Sequence, residues 1–308
     1  MECSVLEAAP VTVPVCIAEL GGNHSGDMHT ARRMVEIVAN YCTEHFQLTG
    51  DKPRPYVKFQ KRTCTLELYP DWLKPHPNPA HAYGGTYLEH RRALEFDIAQ
   101  HHELKTYAGL QGAGYSCSVW DIPAAKQVIT LEPEWVKVPS ACNQDYDMLA
   151  YLIDNYAGDI HISLGMTTRN EVARLYDFLT LSGSAHRTVF YACTSNYPVE
   201  PESVCLRELD WIQRAYPALK AVGFSGHHHG IAVDMAAVAM GAKYIERHFT
   251  LNRTWKGTDH SASLEPDGFR KLLRDVGNVE KGMGSKPVGG LLACEEGQRE
   301  KLKREMAA

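Results

Sequence analysis

The sequence predicts an α/β fold, a single (β/α)8 TIM barrel, and three observations carry that reading. Eight short apolar or β-branched runs of strand length recur along the chain. Amphipathic helical stretches lie between them, and alternation of strand with helix builds a parallel sheet. The chain has 308 residues with no internal repeat or low-complexity segment, a length that one closed barrel fills.

The elements follow in order. "VCIAEL" (15–20) is the first strand, and "TARRMVEIVANYC" (30–42) has the period of a helix. "YVKFQK" (56–61) is the second strand. Residues 62–96 come next, rich in Pro, Gly and aromatics and too long for a simple βα turn. A connection of that length in a compact domain is expected to be a functional lid or flap. The helix "DIAQHHELKTYAGLQ" (97–111) leads to the strands "GYSCSV" (114–119), "WVKVPS" (135–140) and "HISLGM" (161–166). The helix "TTRNEVARLYDFLTL" (167–181) precedes "VFYACT" (189–194) and "AVGFSG" (221–226). "DMAAVAMGA" (234–242) precedes the eighth strand, "YIERHF" (244–249), and a last helix spans about 266–284. The barrel domain is read as 1–290, with 291–308 as a short polar tail.

Composition narrows the function. At 44% hydrophobic and 22% charged, the chain suits a soluble globular enzyme. The net charge of −5, with no basic block, argues against nucleic acid as a partner. No run approaches the ~18 apolar residues of a membrane span. The start, "MECSVLEAAPVTVPVCIAEL", does not read as a signal peptide. Nine scattered cysteines without CxxC spacing read as free thiols of a reducing, cytoplasmic setting.

Catalysis in such a barrel sits at the C-terminal ends of the strands. Those ends carry Glu19; Lys58 and Gln60; Ser118; Lys137 then Ser140; Ser163; Ser195 and Tyr197; Ser225 and His227; and Glu246 with His248. Residues two apart share a face, so Glu246 and His248 point inward while Arg247 points the other way. Charged residues are seldom buried without partners, so their gathering at the barrel mouth signals a site. Two ammonium groups with serine hydroxyls make a socket for a phosphate and a carboxylate. His227 and His248, on neighbouring strands, can share one divalent ion. The next two histidines of the "HHH" run, His228 and His229, are expected to face solvent. His161 is expected at the start of its strand, away from the site, and His101, His102 and His186 on helices or turns outside it.

At these residues the sequence resembles the sialic acid synthase family. The segments are "IAELGGNHSGD", "VKFQK", "TYLEHRRALEF", "CTSNYP", "GFSGH", "GAKYIERHFTL" and "TWKGTDHSASLEP", and the likeness runs from about 15 to 284. The resemblance implies condensation of phosphoenolpyruvate with a hexose acceptor to a nine-carbon 2-keto-3-deoxy sugar acid, with phosphate released. The acceptor could be N-acetylmannosamine, its 6-phosphate or a related sugar. It implies a divalent metal ion, Mn2+ or Mg2+, on His227 and His248. It assigns Lys58, Ser118, Lys137, Ser140, Ser163 and Ser225 to phosphoenolpyruvate. Glu19 and Glu246 become the acid–base candidates, and Gln60, Ser195, Tyr197 and Asp259 the sugar contacts.

Two departures from the family pattern stand out. Where the family has Gly-Ser-Gly and an acidic residue after its strand-4 lysine, this chain has Pro139-Ser140-Ala141-Cys142. Family members also continue into an antifreeze-like domain, which "LLACEEGQREKLKREMAA" is expected not to supply. Its swapped dimer then loses support, and a homo-oligomer of another kind is left open. The competing readings are another phosphoenolpyruvate-dependent 2-keto-3-deoxy sugar acid synthase, a metal-dependent hydrolase or aldolase, and a non-catalytic sugar-phosphate binding protein. Hydrolases on this barrel tend to place an HxH pair on the first strand, where this chain has Glu19.

Overall fold

All eight expected strands form, and they close on themselves in sequence order. In a computed structural model that describes residues 14–49 and 55–304, without the side chains of 42–49, the strands are β1 (Val15–Glu19), β2 (Tyr56–Lys61), β3 (Gly114–Val119), β4 (Trp135–Val138), β5 (Asp159–Ser163), β6 (Thr188–Cys193), β7 (Ala221–Gly226) and β8 (Tyr244–His248). Every neighbouring pair is parallel, and β8 returns to β1 to complete the barrel. One boundary moves. β5 starts at Asp159, so His161 lies in mid-strand and not at the strand's start as the sequence reading had it. The reason is register: Trp135 pairs with Asp159 and Lys137 with His161, so β4 recruits the two earlier residues.

The helices are α1 (Met28–Thr49), α2 (Tyr87–Leu94), α3 (Ile98–Leu110), α4 (Ile122–Ile129), α5 (Tyr146–Asn155), α6 (Arg169–Leu181), α7 (Arg207–Ala215), α8 (Ala232–Ala239), α9 (Pro266–Gly282) and α10 (Ala293–Leu302). Local signals set their starts. Thr86 with Glu89, Asp97 with Gln100, and Thr168 with Glu171 each form a reciprocal capping box that satisfies orphan backbone donors. α10 falls in the stretch expected to be a polar tail. It is helical but buries no residue. Among the described residues no helix is long and apolar enough to cross a membrane.

Strand alternation sorts the core into two populations. Outward residues such as Val57, Phe59, Val136 and Ile162 join the helices in the main apolar core. Inward residues at the lower end form a separate cluster of Ile17, Tyr56, Trp135, Val189 and Tyr191. This floor is aromatic, where such barrels are commonly filled by branched aliphatics. Glycines make room for it. A Cβ on Gly114 would stand 2.3 Å from the Tyr56 ring, and one on Gly223 2.7 Å from the Tyr191 ring. His161 completes the floor, stacked on Trp135 at 4.2 Å and hydrogen-bonded through Nδ1 to the Tyr191 hydroxyl at 2.8 Å.

Residues 62–96 fold into a cover and not an open loop. They contain two 3-10 turns, Pro70–Leu73 and Pro79–His81, and then α2. Stacking of Tyr69 on Trp72 stiffens the cover. The Tyr83 hydroxyl ties it to the far rim, donating to the Lys256 carbonyl at 2.6 Å.

Behind β8, Arg247 is 1% exposed and faces away from the barrel interior, as alternation requires. Its guanidinium bonds Asp234, the carbonyls of Gly230 and His228, and the His228 ring. His228 is therefore buried, against the expectation of a solvent-facing loop residue. A buried guanidinium must find acceptors, and the turn after β7 supplies them. His229 remains near the surface, beside Arg253.

Breaking a buried ion pair from one side leaves an uncompensated charge, which costs about 3–5 kcal/mol. Asp234→Ala should therefore lower the unfolding free energy by that order, seen as a fall in the urea midpoint. Lys74→Ala, which removes an exposed pair with Asp71, should leave the midpoint in place. Equal midpoints for the two variants would remove Arg247 and Asp234 from the stability of this face.

Candidate active site

Above the aromatic floor the inward positions turn polar. Register places Glu19 beside Lys58 on one side and beside His248 on the other, and pairs Ser225 with Glu246. The side chains meet across the interior. Lys58 Nζ lies 2.5 Å from Glu19 Oε2, donates to Ser118 Oγ at 2.7 Å, and stands 3.7 Å from Glu246. Lys137 Nζ donates to Glu246 Oε2 at 2.8 Å and sits 3.5 Å over the Tyr191 ring. Ser225 donates to the other Glu246 oxygen at 3.0 Å. Gln60 donates to Glu19 Oε1 at 2.7 Å.

These charges are buried, so each depends on the others. Burial pushes the Glu246 carboxyl up, but the ammonium groups of Lys137 and Lys58 outweigh it and hold the carboxyl well below the usual range. Burial would lower Lys58, yet Glu19 and Glu246 raise it. Lys137 ends below its ordinary value, because burial and the repulsion of Lys58 exceed what Glu246 returns. The Lys58 ammonium is thus firmly charged, and the Lys137 ammonium is the more labile of the two.

The rim completes the site. Ser140 follows β4 in a short 3-10 turn and accepts a hydrogen bond from Gly165 N at 3.1 Å. A Cβ on Gly165 would stand 2.2 Å from Ser195 Oγ and 2.7 Å from Ser140 Oγ, so this glycine lets two loops close together. His227 and His248 have ring centroids 5.3 Å apart, with Tyr197 against both. Asp259 Oδ2 lies 3.8 Å from His248 Nδ1. All fourteen residues singled out from the sequence, Ser163 included, line one cavity of about 350 Å³. Cys142, one of the departures from the expected pattern, turns its thiol to the Trp120 carbonyl. Burial pushes that thiol up to about 12, so it offers no charge to the site.

The same cavity has walls that the sequence reading missed: Arg62, Tyr87, Arg91, Trp120, Met166 and Thr258. One had a legible signal. Arg62 continues the inward alternation of Lys58 and Gln60 by one further step. Arg91 lies in the resemblance segment "TYLEHRRALEF" but alternation does not single it out, because it reaches the cavity from the cover through the packing of α2.

The histidine pair fits a divalent cation. Burial keeps both rings below their ordinary value, hence neutral and able to donate a lone pair. His227 Nδ1 is spent on the Thr194 carbonyl at 3.0 Å, which leaves Nε2 as the donor atom. His248 Nδ1 is buried without a hydrogen-bond partner. No group of three or more His, Cys, Asp or Glu is arranged to hold a metal among the described residues. Two protein ligands leave open positions on the ion, and an open position is what a catalytic ion needs.

Comparison with known proteins agrees with this architecture. The model of the NeuB family matches residues 54–287. Human N-acetylneuraminate-9-phosphate synthase is 37% identical over 292 residues, which cover 95% of this chain and 77% of that protein. N,N'-diacetyllegionaminic acid synthase of Campylobacter jejuni is 30% identical over 87% of this chain and 77% of its own. Among solved structures, N-acetylneuraminic acid synthetase from Leptospira borgpetersenii has a TM-score of 0.77 at 22% identity, covering 99% of this chain and 98% of that one. A truncated 3-deoxy-D-arabino-heptulosonate 7-phosphate synthase from Thermotoga maritima has a TM-score of 0.65 at 12% identity, covering 93% of each. These two structures speak for the fold.

The depressed Glu246 carboxyl has a pH consequence with a definite sign. A carboxylate held below its ordinary value stabilises the fold above pH ~4.5, and that stabilisation is lost as pH falls toward the folded value. Urea midpoints measured from pH 7 downward should fall more steeply for the wild type than for Glu246→Gln below pH ~4.5. The difference in slope is at most about 1.4 kcal/mol per pH unit for one proton. Parallel curves would show that Glu246 is not held ionised by the lysines.

Proposed function

The chain belongs to the NeuB family, and on that footing we propose that it condenses phosphoenolpyruvate with a hexose acceptor to a nonulosonic, sialic-type acid, releasing phosphate. The observation that carries this reading is the meeting of two buried ammonium groups and the hydroxyls of Ser118, Ser140, Ser163 and Ser225 with a neutral histidine pair in one cavity. Its neighbours by sequence are named as synthases of such acids. Free thiols at Cys117 and Cys193 support a cytoplasmic setting.

Lys58 and Lys137 receive the phosphate and carboxylate of phosphoenolpyruvate, helped by Ser118, Ser140, Ser163 and Ser225. Their carboxylate partners keep both ammonium groups in place before the substrate arrives. A divalent ion, Mn2+ or Mg2+, held by His227 and His248, would supply Lewis-acid polarisation of the acceptor's aldehyde oxygen. Tyr197 and Asp259, beside that pair, and Gln60 and Ser195 position the sugar. Carbon 3 of phosphoenolpyruvate attacks the aldehyde carbon with the electron pair of its double bond, forming the new C–C bond, leaving positive charge at carbon 2 and turning the aldehyde oxygen into an alkoxide that takes up a proton. Water adds there and loses a proton, and the tetrahedral intermediate expels phosphate by C–O cleavage.

The two glutamates have different parts in this scheme. Both Glu246 oxygens are engaged, by Lys137 and by Ser225, and a carboxyl held so acidic is a weak base. Glu246 anchors the ammonium groups. Glu19 has an oxygen, Oε2, with no hydrogen-bond donor beyond its ion pair with Lys58. Glu19 therefore takes the proton from water.

The reading is tested by phosphate release from phosphoenolpyruvate with a panel of hexose and hexosamine acceptors. A chelator should abolish turnover and added Mn2+ restore it. His248→Ala should lower kcat/KM by roughly 100-fold or more. Full-rate turnover of the variant, independent of metal, would overturn the assignment of this histidine. Phosphate release with no acceptor in the panel would overturn the synthase reading itself.

A further inference from the structure

The two cavity lysines are provided for unequally. Lys58 has Glu19, Glu246 and the Ser118 hydroxyl around its ammonium. Lys137 has one carboxylate oxygen, Glu246 Oε2 at 2.8 Å, and no other hydrogen-bond acceptor among the described residues. On its floor side stands the face of Tyr191, with the ammonium 3.5 Å from the ring centroid. The face of an aromatic ring is its negative side, and its attraction for a cation grows when the cation is desolvated. A branched aliphatic residue, common inside such barrels, would give a buried ammonium nothing there.

The ring is fixed in place. Tyr191 is fully buried, and its hydroxyl shares a 2.8 Å hydrogen bond with His161 Nδ1. The His161 ring lies flat on Trp135, 4.2 Å away and 5° from parallel. The Tyr191 ring edge passes over Gly223, where a Cβ would stand 2.7 Å from it. The groups that face Lys137 come from four strands: Glu246 of β8, Lys58 of β2, Cys193 and Tyr191 of β6, and His161 of β5. Glu246 favours the charged ammonium and Lys58 opposes it. Burial pushes the Cys193 thiol up and the His161 ring well down, so both stay neutral. Burial and Glu246 push the Tyr191 phenol well up, so it stays neutral too. The ring face is therefore the second attraction on Lys137, after Glu246.

Resting on the synthase reading, which seats phosphoenolpyruvate on Lys137, we propose that Tyr191 is a positioning residue whose ring face keeps the Lys137 ammonium charged and turned to the cavity, and so sets the upper pH limit of phosphoenolpyruvate binding. An ammonium has three N–H bonds. Glu246 takes one, the ring covers the floor side, and what remains is left for a substrate oxygen. Lys137 lines the cavity and Tyr191 does not, so the ring acts through the lysine. The sign follows. Lys137 attracts an anion only while protonated, and losing the ring lowers the pH at which the proton leaves. Binding then fails sooner as pH rises.

The test replaces Tyr191 with Leu, with Phe, and with mono-, di- and trifluorinated phenylalanines, which keep the ring's shape while draining charge from its face. NMR of lysines isotopically labelled at Cε reads protonation in the enzyme without substrate, and Lys137→Met identifies the signal. Calorimetry follows phosphoenolpyruvate binding to the metal-loaded enzyme across the same pH range. Tyr191→Leu should lower the Lys137 midpoint by about one pH unit, a tenfold change in proton affinity and the weight of a desolvated cation–π contact. Tyr191→Phe should hold it within a few tenths of a unit, and each added fluorine should lower it further. Phosphoenolpyruvate affinity in Tyr191→Leu should fall increasingly as pH rises, by up to about tenfold. The inference is overturned if the midpoint stays fixed along the fluorine series, or if Tyr191→Phe falls as far as Tyr191→Leu. It is overturned equally if Tyr191→Leu weakens phosphoenolpyruvate by the same factor at every pH, which loosened packing alone would do. Should Tyr191→Leu not fold, the fluorine series decides. Should phosphoenolpyruvate not bind the wild type, the synthase reading fails, and the labelled lysine still decides the role of the ring.

Discussion

The structure turns on one buried charge arrangement: Lys58 between Glu19 and Glu246, and Lys137 on Glu246. Each ion taken from water costs several kcal/mol, and the cost is recovered only if partners stand at hydrogen-bonding distance. Four strands must therefore hold their register, since a slip of one residue would turn every one of these side chains outward. The barrel's closure, with β8 returning to β1 beside Glu19, brings the charges together. The same arrangement prepares chemistry. Ammonium groups held by carboxylates need no reorganisation to meet an anionic substrate, which is the condition for strong electrostatic stabilisation in a site shielded from water.

Beneath that layer the aromatic floor does two things. It fills the lower barrel with rings seated over glycines. It also gives Lys137 a π-face 3.5 Å below its ammonium, a partly compensating surface for a charge that burial weakens. His161, buried in that floor, is kept well below its ordinary value by burial and by Lys137. It packs as a neutral ring and shares a hydrogen bond with Tyr191. A histidine inside a catalytic barrel need not belong to the catalysis.

The cavity carries cations of two kinds: the compact, strongly hydrated ammonium groups of Lys58 and Lys137, and the planar guanidiniums of Arg62 and Arg91. The cover, residues 62–96, is more than a lid in this arrangement, because it brings Arg91 to the cavity wall.

Much of this was legible in the sequence because strand alternation is a local rule. A period of two states which residue points inward, so Lys58, Glu246 and His248 could be assigned to the interior, and Arg247 to the outside, without coordinates. Eight repeats of strand and helix implied the barrel, and the segments around the strand ends carried the family resemblance. What only the tertiary structure decided is where burial falls and which groups meet. His228 looked like a loop residue and is buried, because a guanidinium on another strand needs its carbonyl and ring. His161 looked like a strand start and is a floor residue, because β4 extends β5 by pairing. Arg91 lay in a segment of the family resemblance and in the expected lid, but that it reaches the cavity could not be read, since its approach depends on how α2 packs over the mouth. Direction along a strand is set by neighbours in the chain, whereas desolvation and charge pairing are set by neighbours in space, and those exist only once the barrel has closed.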